Sequence, residues 1–209
     1  MHYYIQLFLD QLKETTWLEW VAVVLGVAEV LLAKVNNIWL YPTGIVGTLI
    51  GIYLLLMTQP PLYADALVNV YYVVMSVYGW VYWVKKSDGP AVKISWCTKQ
   101  EWIVTLLISI GGWAVLYLLL KNFTNSNVPV WDALVSSTAW AGMWLLARRK
   151  LENWILLNVS NLFAIPLLWY KHLVLLALLT LFLFVVAFFG FFEWRNIWKK
   201  EQHSKPSIA

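Results

Sequence analysis

The stretch Leu173–Phe192 reads LVLLALLTLFLFVVAFFGFF, and its 20 residues contain no charged side chain and no amide. A helix of about 20 apolar residues is long enough to cross the hydrocarbon core of a bilayer. The stretch therefore predicts a transmembrane helix, and it places the chain among membrane proteins.

The composition of the whole chain points the same way. Of its 209 residues, 61% are hydrophobic, 12% are charged and 15 are Trp. A soluble domain has about 25% charged residues, so a soluble enzyme, a secreted disulfide domain and a nucleic-acid binder are excluded. Cys97 is the single cysteine and allows neither a disulfide framework nor a cysteine metal site. We predict an all-α membrane protein with no nucleic-acid partner.

Seven stretches are long and apolar enough to span the membrane, at 17–33, 38–57, 63–84, 101–121, 128–147, 151–169 and 173–194. With seven spans, three basic residues fall on the side of the N-terminus and twelve on the other side. Because basic residues accumulate in cytoplasmic loops, we predict an outer N-terminus and a cytoplasmic C-terminus. Residues 1–16 lack the pattern of a signal peptide and are predicted to be extracytoplasmic or interfacial.

The first and last three spans share landmarks in the same order. Glu19 corresponds to Asp132 and Trp39 to Trp154, and both Gly79–Trp83 and Gly190–Trp194 read G-x-x-x-W. We therefore predict two parallel three-helix bundles, 17–84 and 128–194, with a cytoplasmic loop and linker helix at 85–127 and a cytoplasmic tail at 195–209. Parallel repeats are typical of transporters whose substrate site lies near the midplane between the repeats.

Polar and aromatic residues recur every three or four positions in three of the spans, so that each span carries one polar face. Polar groups inside a membrane face the bundle interior or a wet cavity. Trp and Tyr stack on rings and attract cations, and amides donate and accept hydrogen bonds. These faces predict a site for a small planar polar ligand, lined by Asn69, Tyr72, Ser76, Ser136, Trp140, Met143, Trp144, Trp154, Asn158 and Asn161.

Several other residues have two interpretations. Glu29 and Asp65 are predicted to contact a cation or carry protons, whereas Glu19 and Asp132 are better interpreted as helix caps. The asparagines and serines are alternatively hydrogen-bonding groups between helices. Five tryptophans at span ends are predicted to be interface anchors, namely Trp17, Trp20, Trp39, Trp83 and Trp194.

Three segments carry a resemblance to a known family: LYADALVNVYY (Leu62–Tyr72), YGWVYW (Tyr78–Trp83) and LLARRKLENWILLNVSNL (Leu145–Leu162). From about Trp17 to Trp194 the chain resembles the PnuC family of vitamin transporters. The resemblance implies a protein of the bacterial cytoplasmic (inner) membrane, with the SWEET-like arrangement of seven helices as 3+1+3, and a homotrimer. It also implies facilitated diffusion of an unphosphorylated vitamin, which a cytoplasmic kinase then traps.

The chain departs from the family pattern at the expected pocket. Leu157 stands where the family has a second Trp, and Asn69 and Met143 stand where nicotinamide riboside transporters have Gln. These departures favour thiamine, as in the PnuT relatives, with nicotinamide riboside as the alternative. A membrane subunit of an ATP-driven importer is a competing class. An enzyme is not expected, and we predict no catalytic residue, metal or cofactor, because the three histidines lie outside the spans and no catalytic cluster is present.

Overall fold

The computed structural model describes residues 2–59, 61–85, 92–124 and 126–203, and its regular elements within these ranges are helices. The loop residues 86–91 and the tail residues 204–209 lie outside the described residues, and with them the predicted cytoplasmic charges Lys86 and Lys205. The helices are α1 (His2–Glu14), α2 (Trp17–Lys34), α3 (Leu40–Met57), α4 (Tyr63–Lys85), α5 (Lys99–Leu106), a π-helical segment (Leu107–Gly111), α6 (Gly112–Phe123), α7 (Pro129–Ala147), α8 (Asn153–Tyr170) and α9 (Val174–His203).

Capping side chains define the helix starts. Glu19 and Thr16 form a capping box at α2, in which Thr16 Oγ1 accepts the Glu19 N–H at 3.3 Å and Glu19 Oε2 accepts the Thr16 N–H at 2.6 Å. The capping prediction is therefore confirmed for Glu19. For Asp132 it is wrong: α7 begins after Val128 without a side-chain cap, and Pro129 supplies the favoured first residue.

Three helices end in the same tight turn, although none of the turns contains glycine. Asn36, Arg149 and His172 have φ of 56°, 54° and 60° after α2, α7 and α8. Each turn has the two backbone bonds of a Schellman motif, as in Asn36 N–H to Ala33 O and Asn37 N–H to Leu32 O. Asn36 and Arg149 are 113 residues apart, as are Glu19 and Asp132, so the repeated landmarks coincide with repeated backbone geometry.

Six helices close into a ring of neighbours. α3 packs between α2 and α4, and α8 packs between α7 and α9. Contacts of α4 with α7 and of α2 with α9 join the two sets, which gives the order α2, α3, α4, α7, α8, α9. In the described part of the chain, α3 and α8 lie on opposite sides of the ring and make no close contact. The α5–α6 helix packs on α7 and α4, and α1 packs on α9.

Two tryptophans, near the ends of α4 and α9, join the two sets of helices, α2–α4 and α7–α9, which we call the two halves. The two contacts are reciprocal. Trp83 Nε1 donates to Ala147 O of α7 at 3.1 Å, and Trp194 Nε1 donates to Ala33 O of α2 at 2.8 Å. Trp83 and Trp194 are 5% and 0% exposed, so the prediction that they are interface anchors is wrong. Each indole finds a carbonyl at the end of a helix in the other half, and the other predicted anchors are exposed, namely Trp17, Trp20 and Trp39.

Four helices are individually long and apolar enough to cross a membrane, Leu40–Met57, Asp65–Val84, Lys99–Phe123 and Val174–His203. The helices α1 and α2 meet this criterion only as a pair, which is bent by 104°. The Ser, Trp and Asn side chains of α7 and α8 lower the hydropathy of those helices, and most of these side chains belong to the predicted site. The count of seven spans therefore stays a prediction.

Candidate functional site

The predicted face of α4 runs from an exposed end into the protein. Asp65 is exposed, and its backbone carbonyl accepts a hydrogen bond from Asn69 Nδ2 at 2.9 Å. Tyr72 is half-buried, and Ser76 is 1% exposed. The helix therefore presents its polar groups at successive depths.

On α7, Trp140 lies against α4. Its indole Nε1 donates to Val68 O at 3.3 Å, and its ring stacks on Tyr71 with centroids 4.5 Å apart. Tyr71 in turn donates its hydroxyl to Trp140 O at 3.0 Å. Trp140 therefore also joins the two halves, a role that sequence reasoning missed because Tyr71 lies beside the predicted face and not on it.

The other predicted residues of α7 follow towards its C-terminal end. Ser136 is half-buried, and Met143 packs against the core around Trp83 and Trp154. Trp144 stacks on Tyr78 with centroids 6.0 Å apart. The Trp144 indole N–H is buried and has no hydrogen-bond partner among the described residues, so it can receive a polar group of a ligand.

Two of the predicted residues of α8, Trp154 and Asn158, face α9. Trp154 is 1% exposed, and its ring fills the space over Gly190 that a Cβ atom would occupy. Asn158 shares with Trp154 a groove of about 330 Å³ between α8 and α9. The Asn158 Oδ1 atom is buried without a partner in the described part of the chain, and Asn161 is half-buried. The opposite face of α8 packs on α7, where Ser160 Oγ donates to Val135 O at 2.8 Å.

Glu29 of α2 has no charged partner in the structure. Its carboxyl group lies against the backbone of α3 at Gly44, where a Cβ atom would overlap it. Within the described residues it forms no hydrogen bond and no ion pair. Among the predicted site residues, Glu29 is therefore a carboxyl group with unused capacity to bind a cation.

Asp132 instead forms an ion pair near the start of α7. Lys171 Nζ lies 2.5 Å and 2.7 Å from its two carboxylate oxygens, and Ser126 Oγ donates to it at 2.6 Å. This pair connects the start of α7 to the turn after α8. Asp65 lies within electrostatic range of both charges.

The opposite end of the ring, which we call the basic end, carries Arg148, Arg149 and Lys150 and is closed. Side chains from both halves form one buried cluster there, which includes Tyr41, Trp83, Trp154 and Trp194. The Arg149 guanidinium lies 3.7 Å from the ring centroid of Trp83. Tyr41, whose ring packs over Gly79, was not among the predicted site residues, although the G-x-x-x-W landmarks mark both glycines that receive these rings.

The segment before α5 covers the basic end. Ile94 is 2% exposed and belongs to the same cluster. Ser95 pairs with the α7–α8 turn through backbone bonds to Arg149 O at 3.2 Å and from Leu151 N–H at 3.0 Å. Lys150 reaches back to Glu101 at 2.9 Å, with both side chains 11% exposed.

The described residues contain no group of three or more His, Cys, Asp or Glu side chains that would hold a metal ion. Among the described residues, the buried side-chain atoms without hydrogen-bond partners belong to amide, indole, hydroxyl, guanidinium and carboxyl groups, and those of Trp144, Trp154 and Asn158 lie on predicted site residues. Such groups suit reversible binding of a small polar molecule.

Comparisons with known proteins concern the sequence and the fold of the chain. The family described as nicotinamide mononucleotide transporter matches residues 16–196. The nicotinamide riboside transporter PnuC of Escherichia coli (strain K12) is 23% identical over 210 residues, which cover 88% of this chain and 87% of that one. The protein of the same name from Neisseria mucosa is 24% identical over 199 residues, covering 88% and 74%.

A solved structure described as the crystal structure of the vitamin B3 transporter PnuC matches with a TM-score of 0.69 and 23% identity. The match covers 94% of this chain and 88% of that chain. At this level of identity the likeness concerns the fold, and it agrees with the helical architecture described above.

Proposed function

The chain belongs to the nicotinamide mononucleotide transporter family, and from this premise we propose that it carries an unphosphorylated vitamin, with nicotinamide riboside as the first candidate. The sequence analysis placed thiamine first. The related proteins are named nicotinamide riboside transporters, and this reverses the order. Thiamine stays the second candidate because Asn69, Met143 and Leu157 depart from the pattern of riboside transporters.

An unphosphorylated substrate agrees with where the positive charges lie. The basic residues in and next to the six ring helices lie outside the predicted spans, as Lys34, Arg148 and Lys171 do. A phosphate dianion at mid-depth would need a cation there. The polar groups without partners, such as Asn158 Oδ1, suit hydroxyl and amide groups instead.

The observation that carries the proposal is the closed basic end, where both halves contribute to one cluster. A carrier that alternates access must open and close each end in turn. We propose the 3+1+3 arrangement, with three-helix bundles at 17–84 and 128–194 that rock about the site between them. The reciprocal bonds Trp83–Ala147 and Trp194–Ala33 support parallel bundles, because the third helix of each bundle donates an indole N–H to the end of the first helix of the other bundle.

The remaining parts of the proposal come from the resemblance and from the charge distribution. The basic end faces the cytoplasm of a bacterium, with the N-terminus outside and the C-terminus inside. Transport is facilitated diffusion without ATP, a cytoplasmic kinase traps the vitamin, and the protein is a homotrimer. A subunit of an ATP-driven importer would instead fail to transport in vesicles without ATP.

Uptake into liposomes tests the function. Purified protein is reconstituted, and saturable entry of labelled nicotinamide riboside and thiamine is measured without ATP. We expect nicotinamide riboside to equilibrate across the membrane and to compete with thiamine for entry. Absence of entry for both vitamins, in vesicles whose protein is folded, would contradict the proposal.

Binding tests the site. We expect Asn158→Ala and Asn161→Ala each to weaken vitamin binding by about 1–3 kcal/mol, because a polar group of the ligand loses its partner. Asn122→Ala is the matched control, since Asn122 is exposed and its side chain, among the described residues, bonds to Leu118 O of its own helix. Titration calorimetry in detergent measures all three variants, and equal affinities would place the asparagines outside the site.

A further inference from the structure

The contact between Glu29 and Gly44 joins a carboxyl group to a helix backbone. A Cβ atom built on Gly44 would overlap the Cδ, Oε1 and Oε2 atoms of Glu29. The whole carboxyl group therefore lies over α3 at the one kind of residue that leaves room for it. The contact places the carboxyl group against α3 and gives it no counter-charge.

Nearby cations of the chain are engaged elsewhere. The Lys34 ammonium lies 5.7 Å from the ring centroid of Phe189 on α9, and the Arg149 guanidinium lies over Trp83. Glu29 forms no ion pair with a described residue. Because an unpaired carboxylate inside a membrane is costly, a cation from outside the chain would stabilise it.

The surroundings of Glu29 suit an aromatic cation. The hydroxyl groups of Tyr41 and Tyr72 lie within electrostatic range of its carboxylate. Tyr72 stands on the polar face of α4, so the carboxylate and the predicted site share one region of the ring. A carboxylate attracts a positively charged ring by Coulomb interaction, and a tyrosine ring that meets the ligand face-on adds a cation–π interaction.

The second half of the ring has a glycine contact at the equivalent positions, but it carries no charge and the glycine stands on the first of the two helices. The repeat offset of 113 residues relates Glu29 to Gly142 and Gly44 to Leu157. A Cβ atom on Gly142 would overlap the Leu157 side chain, just as one on Gly44 would overlap Glu29. One half thus presents a carboxylate over a glycine, and the other presents a leucine over a glycine.

We propose that the Glu29 carboxylate binds the positively charged heteroaromatic ring of the transported vitamin and that Leu157 packs on an uncharged part of it. The assignment rests on the proposed function. It gives the site a charged and an apolar side, so the carrier selects a monocation over a neutral molecule of the same shape. Gly44 is a positioning residue, which sets the place of the carboxylate.

The test compares two ligands of nearly one shape, nicotinamide riboside and its reduced, uncharged dihydro form. We expect Glu29→Gln to weaken binding of the cation about 10- to 150-fold, the range for a lost charge-assisted contact. The affinity for the dihydro form should change by no more than about threefold. Gly44→Ala should weaken binding of the cation in the same sense. Gly51→Ala on the same helix is the control, because a Cβ atom there meets nothing within 4 Å.

Each outcome has one meaning, provided that thermal unfolding shows every variant folded. If the unmodified protein binds neither vitamin, the proposed function fails, and the assignment falls with it. If it binds nicotinamide riboside, and Glu29→Gln changes the affinity for both ligands equally or for neither, only the assignment is overturned. If Glu29→Gln binds the cation normally but abolishes a pH-gradient effect on uptake, Glu29 carries protons and the assignment is again overturned.

Discussion

Replacing Trp83 by Phe removes one hydrogen bond from the closed basic end. The Trp83 indole is 5% exposed and donates to Ala147 O at 3.1 Å. In the described part of the chain no second donor reaches this carbonyl. The variant therefore leaves a buried acceptor without a partner, which costs about 1–3 kcal/mol.

Trp194→Phe is the matched comparison, because it removes the same ring atoms from the same cluster. Trp194 donates to Ala33 O at 2.8 Å, but that carbonyl also accepts the Asn36 N–H at 2.9 Å. Its loss should therefore cost only the net value of a hydrogen bond, about 0.5–1.5 kcal/mol. The Arg149 guanidinium over Trp83 adds to the difference, since a phenyl ring holds a cation less strongly than an indole.

Thermal unfolding in detergent, followed by far-UV circular dichroism, measures the difference. For a chain of this size 1 kcal/mol corresponds to about 2–4 °C in Tm. We expect Trp83→Phe to melt below Trp194→Phe, and the control Trp39→Phe, at a residue that is 64% exposed, to melt with the unmodified protein. A Tm of Trp83→Phe equal to or above that of Trp194→Phe would refute the hydrogen-bond argument.

Two further predictions concern other regions. Burial and then the Glu152 carboxylate raise the pKa of the Cys97 thiol to about 12. Since the thiolate is the nucleophile, the rate of maleimide labelling should be low at neutral pH and rise about tenfold per pH unit to at least pH 9. Glu152→Gln should increase the labelling rate. A rate that stops rising below pH 9 would contradict the raised pKa of Cys97. Gly190→Ala should lower stability by about 1–3 kcal/mol in thermal melts because its Cβ would overlap the Trp154 ring, whereas Gly111→Ala meets nothing within 4 Å and should not lower it.

The helices and their order were predictable from the sequence. Apolar runs of about 20 residues and the 113-residue offset between Glu19 and Asp132 are local or periodic features, and most helix bounds lie within a few residues of the predicted spans. Residues 1–16 were predicted to be extracytoplasmic or interfacial, but neither the helix α1 nor its 104° bend against α2 was predicted. A helix lying across another depends on what its apolar face packs against, here α9.

The roles of the tryptophans show where sequence reasoning fails. Trp39 and Trp83 both stand at span ends, yet Trp39 is 64% exposed and Trp83 is 5% exposed. Each stands one residue inside the end of its predicted span, Trp39 at the start of 38–57 and Trp83 at the end of 63–84. What differs is whether a carbonyl of a distant helix, Ala147 O for Trp83, comes within hydrogen-bond distance.

The sequence by itself determined the class of protein, the helix order and the faces on which the polar residues lie, because hydropathy and helical periodicity act within a single segment. The family followed from the resemblance of segments such as Leu145–Leu162. Only the tertiary structure decided that Trp83 and Trp194 close one end reciprocally and that the Glu29 carboxyl group lies over Gly44. Both contacts join helices that are distant in sequence or separated by a turn. Their geometry depends on how side chains of different volume fill the space between helices, and periodicity along one helix does not encode that.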